Sequence, residues 1–588
     1  MLESGVRHPT EHTFETHDGV ALFYRHWRAA TQAARGAIVL LHRGHEHSGR
    51  MGHLPAELDL PDFDFFAWDA RGHGRSPGAR GDSPSFGTSV RDVQTFVTHI
   101  GERYGFAPES IAIIAQSVGA VVAAAWVHDY APCIRGMVLA SPAFKVKLYV
   151  PLALPGLRLM RAVRGNFFVT SYVKARLLTR DPDRAASYDS DPLIARSISV
   201  NILLGLQQTS DRIVADAAAI TVPTQVLMSD RDWVVHDGPQ HAFFERLGSA
   251  TKEKHVLQDF YHDTLGERDR AFALGHVRKF LLALFDRPPE RVDLTGSDRH
   301  GFTKNEADAL RQPLPRRSPR DLYWRATRAA LGFGATLSEG LRVGRATGFD
   351  SGSMLDYVYR NVASGRTPLG RLIDRIYLDS VGWRGIRQRK LDVESLLLDA
   401  VARLRADGRP VHIVDIAAGH GRYVLDAIAR SAARPDSIVL RDYGDGNVRE
   451  GASLIAQRGL AGIARFVNAD AFDRPSLEAL APKPTLAIVS GLYELFADNT
   501  LVSESLAGLG SAIVHGGFLV YTCQPWHPQL ELIARALTSH RGGAPWIMRR
   551  RTQAEMDQLV ERAGFRKIAQ RINEEGLFTV SLAERRVQ

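Results

Sequence analysis

Two separate series of short apolar runs, each alternating with helix-like patterns, limit what this chain can fold into more than any other feature. The first series lies at residues 37–41, 64–68, 111–115, 136–140 and 224–229. The second lies at residues 411–417, 437–443, 464–469, 485–490 and 517–522. Strands that alternate with helices are typical of parallel α/β sheets. We therefore predict an α/β fold class with two sheets, because 588 residues exceed one ordinary core.

The region between the two series has a different composition. Residues 288–320 are polar and rich in proline and arginine, which predicts a linker. Residues 321–407 show a helical pattern with many basic and aromatic side chains. The sequence thus predicts a first domain at residues 1–287 and a second at residues 408–588, joined by a linker and a helical segment.

Composition indicates well-packed domains in a reducing compartment. Hydrophobic residues make up 45% and charged residues 24% of the chain, as in folded soluble proteins. The net charge of +9 suits either an anionic partner or a basic, solvated surface. Cys133 and Cys523 lie far apart, so we expect no disulfide framework. Without an apolar leader or a membrane-spanning run, we expect a cytoplasmic protein, with peripheral contact at the inner membrane left open.

A serine at the end of an apolar strand is the first candidate catalytic residue. The strand ends at Ala115, and a helical pattern begins just after Ser117. A nucleophile elbow places a serine in such a turn and needs small residues two positions before and after it, here Ala115 and Gly119. The alternative is a serine that caps a buried helix.

A serine nucleophile needs a base and an acid that orients the base. Asp232 follows the 224–229 strand and is the candidate acid, with Asp230 as the alternate. The candidate base is His262, in a loop before the last helical pattern of this domain. We expect His255 to be structural, because it lies inside a strand pattern.

Backbone N–H groups must also face the developing oxyanion. We expect one from Val118, directly after the serine, and one from Gly44 in the loop after the first core strand, with Arg43 as the alternate. This loop also contains His42, His45 and His47, but its expected oxyanion role argues against a metal site.

Four segments of this half are informative in combination: LLHRGHEHSGR, WDARGHGRS, the serine elbow and LTRDPDRAASYDSDPL. Together they resemble the monoacylglycerol lipase and lysophospholipase branch of the α/β-hydrolases, over about residues 10–287. The resemblance implies a triad of Ser117, Asp232 and His262, a mobile helical cap at about residues 145–215, and an acyl ester substrate with one long chain. Two departures are Ala115 in place of glycine and Arg43 after the histidine, which could alter the oxyanion loop or favour an anionic head group.

The sequence at the start of the expected cap allows two interpretations. Residues 145–163 are apolar with interleaved lysines and arginines, so they could touch a membrane surface. The alternative is that these apolar side chains line the pocket or pack on the core.

Three segments follow one another in the second half: RPVHIVDIAAGHGRYVLDAIAR, IVLRDYGDGN and ARFVNADAFD. In this order they resemble the class I methyltransferases, over about residues 400–585. The resemblance implies a Rossmann-like domain that binds S-adenosyl-L-methionine. A nicotinamide-binding domain is the rival, but the Asn-Ala-Asp after the third strand and a C-terminal hairpin, preceded by a capping box at Thr552 and Glu555, favour methyl transfer.

The loops of this resemblance give the cofactor residues. Gly419 and Gly421 should let the backbone approach the cofactor, whereas Ala417 replaces a frequent glycine. Asp415 should organise the loop and meet the amino end of the cofactor, directly or through water. Asp442 should accept hydrogen bonds from the two ribose hydroxyls.

The adenine and the methyl acceptor are expected at later strands. Asp470 should accept from the adenine amino group, and the N–H of Ala471 should serve the ring nitrogen. Tyr493 and Glu494, after the fourth strand, are candidates for the acceptor site, with packing and capping as the alternative. The helical segment 321–407 is expected to cover this pocket, or to serve only as a basic spacer.

These features predict a bifunctional enzyme of lipid metabolism, which hydrolyses an acyl ester and methylates an unknown acceptor. An alternative makes one domain a non-catalytic lipid-sensing or scaffolding module. A further alternative, an RNA methyltransferase, lacks a recognised RNA-binding module, so we expect no nucleic-acid partner.

Overall fold

The computed structural model describes residues 7–586. The chain forms two compact units, Met1–Val292 and Asp293–Gln588. Each unit contains one large sheet, which confirms the two α/β folds expected from the two series of apolar runs.

The first unit has an eight-stranded sheet with the order β1-β2-β4-β3-β5-β6-β9-β10. Its strands are β1 Thr10–Glu15, β2 Ala21–Trp27, β3 Gly36–Leu41, β4 Phe63–Trp68, β5 Ile111–Gln116, β6 Gly136–Ala140, β9 Thr224–Ser229 and β10 Lys252–Leu257, with β7 Phe168–Thr170 and β8 Ser197–Ser199 in a separate hairpin. The pairs β1/β2 and β2/β4 are antiparallel, and the remaining pairs of the large sheet are parallel. Strands β3 to β6 and β9 are buried along their whole length because helices cover both faces of a parallel sheet.

The helices of the first unit alternate with these strands along the chain. They are α1 Leu54–Glu57, α2 Phe86–Tyr104, α3 Val118–Tyr130, α4 Ala153–Arg164, α5 Pro182–Ser190, α6 Val200–Ala215, α7 Gly238–Arg246 and α8 Arg270–Phe285. Helices α4 to α6 and the β7/β8 hairpin lie between β6 and β9, where the sequence predicts the cap.

The second unit has a seven-stranded sheet with the order β13-β12-β11-β14-β15-β17-β16. The strands are β11 His412–Ile416, β12 Ser437–Asp442, β13 Ala464–Asn468, β14 Leu486–Val489, β15 Phe518–Cys523, β16 Phe565–Ile572 and β17 Thr579–Arg585. The five strands β11 to β15 are mutually parallel, and β17 is antiparallel to both β15 and β16.

Helices pack on both faces of this second sheet. They are α9 Phe302–Arg311, α10 Pro319–Leu337, α11 Glu339–Thr347, α12 Gly352–Arg360, α13 Pro368–Leu378, α14 Val381–Ala406, α15 Arg422–Arg430, α16 Asp445–Gln457, α17 Arg474–Glu478, α18 Asn499–Ala512, α19 Leu530–Ala536 and α20 Gln553–Arg562. Successive residues of β11 point to opposite faces, so Ile413 joins one apolar cluster and Val414 the other.

Two segments differ in detail from the sequence expectation. Helix α9 lies inside the expected linker, and its Thr303 and Ala307 are each only 1% exposed. The segment therefore packs on its unit, although it contains few of the apolar residues that would predict this from the sequence. The capping box at α20 is only half formed. The Glu555 N–H donates to Thr552 Oγ1, but the Glu555 carboxylate binds Arg549 and Asn499 instead of the cap.

Candidate active sites

Ser117 occupies a sharp turn between β5 and α3. Its φ of 57° and ψ of −115° are rare for a residue with a side chain, and such strain is typical of a nucleophile elbow. A Cβ on Gly119 would lie 2.4 Å from the carbonyl oxygen of His42, so only glycine fits there. Ala115 is fully buried in β5, which shows that this position accepts an alanine.

The structure brings the three predicted triad residues into one hydrogen-bonded chain. His262 Nε2 lies 2.8 Å from Ser117 Oγ, and His262 Nδ1 lies 2.7 Å from Asp232 Oδ2. All three side chains are buried. The arrangement allows His262 to remove the serine proton while Asp232 orients the ring.

Asp232 is held as a carboxylate by its surroundings. Its other oxygen accepts hydrogen bonds from the N–H groups of Val234 and Val235, at 2.7 and 2.9 Å. Burial alone would raise its pKa, but the facing His262 and these two N–H groups lower it. The alternates lie elsewhere: Asp230 is exposed, and His255 stacks on a neighbouring histidine ring.

The expected oxyanion residues lie next to each other. A Cβ on Gly44 would lie 3.0 Å from Val118 Cγ2. Val118 is the first residue of α3, and N–H groups in the first turn of a helix lack intrahelical partners. The geometry therefore places two backbone segments beside Ser117 that can supply oxyanion N–H groups.

Arg43 is buried in an ion-pair network, and it also lines a cavity together with Gly44 and Val118. Its Nη2 lies 2.7 Å from Glu46 Oε1 and 3.6 Å from Asp263 Oδ2. Asp263 also pairs with Arg184 at 2.9 Å and accepts a hydrogen bond from Gln116. The arginine that departs from the family pattern thus stabilises the loops around the triad.

The cap helix α4 has no buried residue. Its neighbourhood exposes large apolar side chains, including Leu152 at 81% and Val163 at 79%. The apolar side chains of α4 therefore do not pack on the core, which was part of one of the two interpretations of this segment.

The second unit has a cavity of about 540 Å³ at the carboxyl ends of its parallel strands. Four of the predicted cofactor residues line it: Gly419, Asp442, Asp470 and Ala471. This edge of the sheet is where open α/β folds bind ligands.

Asp442 connects the loops around this cavity. Its Oδ2 accepts the N–H of Gly419 at 3.0 Å, and its Oδ1 accepts from Gly444 N–H and Asn447 Nδ2 at 2.9 and 3.0 Å. Gly419 and Gly421 both have positive φ, and so does Ala417. A Cβ on Gly419 would meet no atom closer than 3.9 Å, whereas one on Gly421 would clash with Leu440 at 2.4 Å. Gly419 therefore opens the cavity, and Gly421 allows the helix to pack.

Asp415 is placed differently from the expectation. It is fully buried beneath the cavity lining, accepts a hydrogen bond from Tyr423 Oη at 2.7 Å, and leaves Oδ2 without a partner among residues 7–586. Burial raises the pKa of its carboxyl well above the usual value. Tyr423 itself lines the cavity, so one hydrogen bond connects Asp415 to the cavity lining.

The two acceptor candidates have different surroundings. Tyr493 is 1% exposed, packs in an apolar cluster and donates a hydrogen bond to Ser505, so it has a structural place and is not part of the lining of the 540 Å³ cavity. Glu494 lines a second cavity of about 150 Å³ beside the first. Asp470 is exposed at the rim of the first cavity, where its Oδ1 accepts the N–H of Phe472.

Several cavity residues were missed because they come from the helical segment. Asp350, Gly352, Asp356 and Tyr359 line the first cavity. Asp356 also pairs with Arg422 of the cofactor loop. Their signal in the sequence is weak, since helix α12 and its N-terminal turn lie far from the glycine loop along the chain.

Residues 7–586 contain no group of three or more His, Cys, Asp or Glu side chains that could hold a metal ion. In the same range, no helix combines the length and apolar character needed to cross a bilayer.

Comparisons with known proteins divide the chain in the same way. Residues 277–585 match the family described as "Putative methyltransferase", and residues 32–269 match the family "Serine aminopeptidase, S33". A relative in Escherichia coli, "Uncharacterized protein YnbC", is 57% identical over 581 residues and covers 99% of both chains.

Other relatives cover the first half alone. The monoacylglycerol lipase of Mycolicibacterium smegmatis is 26% identical over 47% of this chain and 97% of its own. The human monoglyceride lipase is 28% identical over 42% of this chain and 80% of its own. The crystal structure of the Paleococcus ferrophilus monoacylglycerol lipase, 22% identical, covers 47% of this chain and 99% of its own with a TM-score of 0.40.

Proposed function

Because the chain belongs to the methyltransferase family that matches residues 277–585 and carries a hydrolase-family domain before it, we propose that it is a bifunctional enzyme of lipid metabolism. The first unit hydrolyses acyl esters of the monoacylglycerol or lysophospholipid type. The second transfers a methyl group from S-adenosyl-L-methionine to an acceptor. The observation that carries the proposal is the hydrogen-bonded chain from Asp232 through His262 to Ser117.

The hydrolase step follows from that chain. His262 Nε2 accepts the proton of Ser117 Oγ as the oxygen attacks the ester carbonyl, and Asp232 stabilises the imidazolium that forms. The N–H groups of Val118 and Gly44 bind the oxyanion. His262 then returns the proton to the leaving alcohol, and water hydrolyses the acyl-Ser117 intermediate by the reverse sequence. Relatives named as monoacylglycerol lipases support the ester class.

The cavity of the second unit fits S-adenosyl-L-methionine in size and in its polar groups. Ligand pockets commonly have volumes of roughly 300–1,000 Å³, and this one has about 540 Å³. Asp442 would hold the ribose hydroxyls, while Asp470 and Ala471 would hold the adenine; all three residues line the cavity. Gly419 leaves room for close approach of the methionine portion. When bound, the cofactor supplies an electrophilic methyl group on sulfur.

The test combines two assays on the full-length protein. Esters of several chain lengths are offered to the wild type, to Ser117→Ala and to the control Ser190→Ala, an exposed serine of α5. We expect hydrolysis to disappear in Ser117→Ala alone, and equal rates in all three proteins would refute the hydrolase. Calorimetry with S-adenosyl-L-methionine tests the other unit, and no binding would refute the methyltransferase.

A further inference from the structure

The second cavity of the second unit adjoins the cofactor cavity. The two share four lining residues, Asp350, Leu355, Gly491 and Leu495. A molecule in the smaller cavity therefore lies next to whatever fills the larger one. This is the position that a methyl acceptor requires.

The smaller cavity limits the size of its occupant. Its volume is about 150 Å³, comparable to an apolar protein cavity that holds benzene. Much of its wall consists of aromatic and large apolar side chains: Tyr377, Trp383, Ile386, Leu532, Ile533, Leu537, Trp546, Met548 and Phe578. The apolar body of the occupant is thus about the size of one aromatic ring or a six-carbon chain.

Arg389 places a buried guanidinium with one unused donor, Nε, at this cavity. It is 3% exposed, and its Nε has no hydrogen-bond partner among residues 7–586. Its guanidinium faces the Phe578 ring at 5.1 Å and lies 3.8 Å from Glu494 Oε1, too far for a hydrogen bond. This distance is that of an ion pair, so Glu494 balances the charge of Arg389. Since buried guanidinium groups normally donate to oxygen, the unpartnered Nε of Arg389 remains available to a ligand.

Other lining residues also offer N–H groups. Gln524 Nε2 and Trp546 Nε1 are buried and have no partner in the described part of the chain. His527 Nδ1 accepts the N–H of Gln529 at 3.1 Å, so in the neutral ring the proton is on Nε2. Burial lowers the pKa of His527 to about 4, which keeps the ring neutral at pH 7.

Acceptors are fewer than these donors. Glu494 Oε1 accepts from Thr522 at 2.7 Å, and its Oε2 has no partner among residues 7–586. Unpaired N–H groups therefore outnumber unpaired oxygens around this cavity. A ligand with oxygen acceptors and no need to donate satisfies them best.

We propose that the methyl acceptor is a small carboxylic acid with an apolar body, bound by Arg389 through its carboxylate. This inference rests on the proposed methyltransferase function. A carboxylate oxygen attacks the methyl carbon, the carbon–sulfur bond breaks, and its electron pair remains on sulfur. The products are a methyl ester and the thioether form of the cofactor, and no proton is released. The reaction consumes the class of product, a carboxylic acid, that ester hydrolysis by the first unit supplies.

The test compares ligands with the same six-carbon body. Hexanoate, 1-hexanol and hexylamine are titrated calorimetrically into the full-length protein loaded with S-adenosyl-L-homocysteine. We expect hexanoate to bind at least about tenfold more tightly than the other two, as loss of one charged hydrogen bond predicts. Transfer of tritium from labelled S-adenosyl-L-methionine into an extractable ester should likewise require the acid. Equal or tighter binding of the alcohol or amine would overturn the inference.

Two variants examine the role of the arginine. Arg389→Met should weaken hexanoate binding about tenfold or more and leave the affinity for S-adenosyl-L-homocysteine unchanged. If this variant does not fold, Gln524→Glu adds a negative charge to the cavity and should weaken hexanoate but not hexanol. Unchanged hexanoate binding in the folded variant contradicts the inference. Cofactor binding without preference for the acid refutes this inference alone, whereas absent cofactor binding refutes the methyltransferase.

Discussion

The imidazole Nδ1 of His262 lies 2.7 Å from Oδ2 of Asp232, and the opposite ring nitrogen faces Ser117. Asp232→Asn should keep the geometry but favour the wrong tautomer, and kcat for ester hydrolysis should fall by a factor on the order of 10⁴. Steady-state kinetics measure this change. Asp230→Asn, an exposed neighbour, should retain full activity, and a matching loss there would point to a general effect on the loop.

The close packing at the elbow also predicts that alanine substitution will affect stability differently at two glycine positions. Gly119→Ala places a Cβ 2.4 Å from the His42 carbonyl, and we expect a loss of about 1–3 kcal/mol in the free energy of unfolding. Gly156→Ala in α4 meets no atom within 4 Å and should be neutral or stabilising by about 0.5–1 kcal/mol. Urea denaturation measures both, and equal effects would contradict the close approach at Gly119.

The network around Arg43 predicts a large cost for its removal. Arg43→Met leaves the buried Glu46 and Asp263 without one of their cations, so the unfolding free energy should fall by about 3–5 kcal/mol. The control Arg75→Met breaks a pair that is about half exposed on both sides and should cost at most about 1 kcal/mol. If the two variants lose the same stability, the buried network is not the reason for the arginine.

Asp442 predicts an effect on cofactor affinity. Asp442→Ala removes three hydrogen bonds that order the loops, and S-adenosyl-L-methionine should bind about 10- to 100-fold more weakly. Asp445→Ala, close in sequence but not part of the cavity lining, is the matched control. Calorimetry that finds the same affinity for Asp442→Ala and the wild type would remove Asp442 from the site.

Asp415 predicts a specific pH dependence of stability. Because burial raises its folded-state pKa, its contribution is complete below the unfolded pKa near 4. That contribution is lost as pH rises toward the folded value, by at most about 1.4 kcal/mol per pH unit. Asp415→Asn retains an acceptor for Tyr423 and should flatten this slope in urea titrations between pH 5 and 8. A slope identical to that of the wild type would show that Asp415 does not titrate as described.

Local sequence signals sufficed for the residues that follow directly from a strand. Ser117 directly follows a strand and has small residues two positions before and after it. Asp442 is the acidic residue at the end of its strand. These local features were enough to predict both positions. The two sheets followed from the alternation of apolar runs with helical patterns, whereas the cap was implied by the family resemblance.

Long-range contacts explain what sequence alone did not provide. Asp350 and Asp356 line the same cavity as the glycine loop. Helices α13 and α14 separate them from this loop along the chain, so no local sequence pattern indicates that they lie near it. Tyr493 looked suited to an acceptor, but its hydroxyl bonds Ser505 inside the core. For Arg43 the sequence suggested either a change in the oxyanion loop or a preference for an anionic head group, and only the folded loops bring Asp263 to it.

The most direct test of the account is labelling with a fluorophosphonate, read by intact-protein and peptide mass spectrometry. The account predicts one adduct on Ser117 in the wild type, none in Ser117→Ala, and strongly slowed labelling in His262→Ala. A wild type that stays unlabelled, or an adduct that persists in Ser117→Ala, would contradict it.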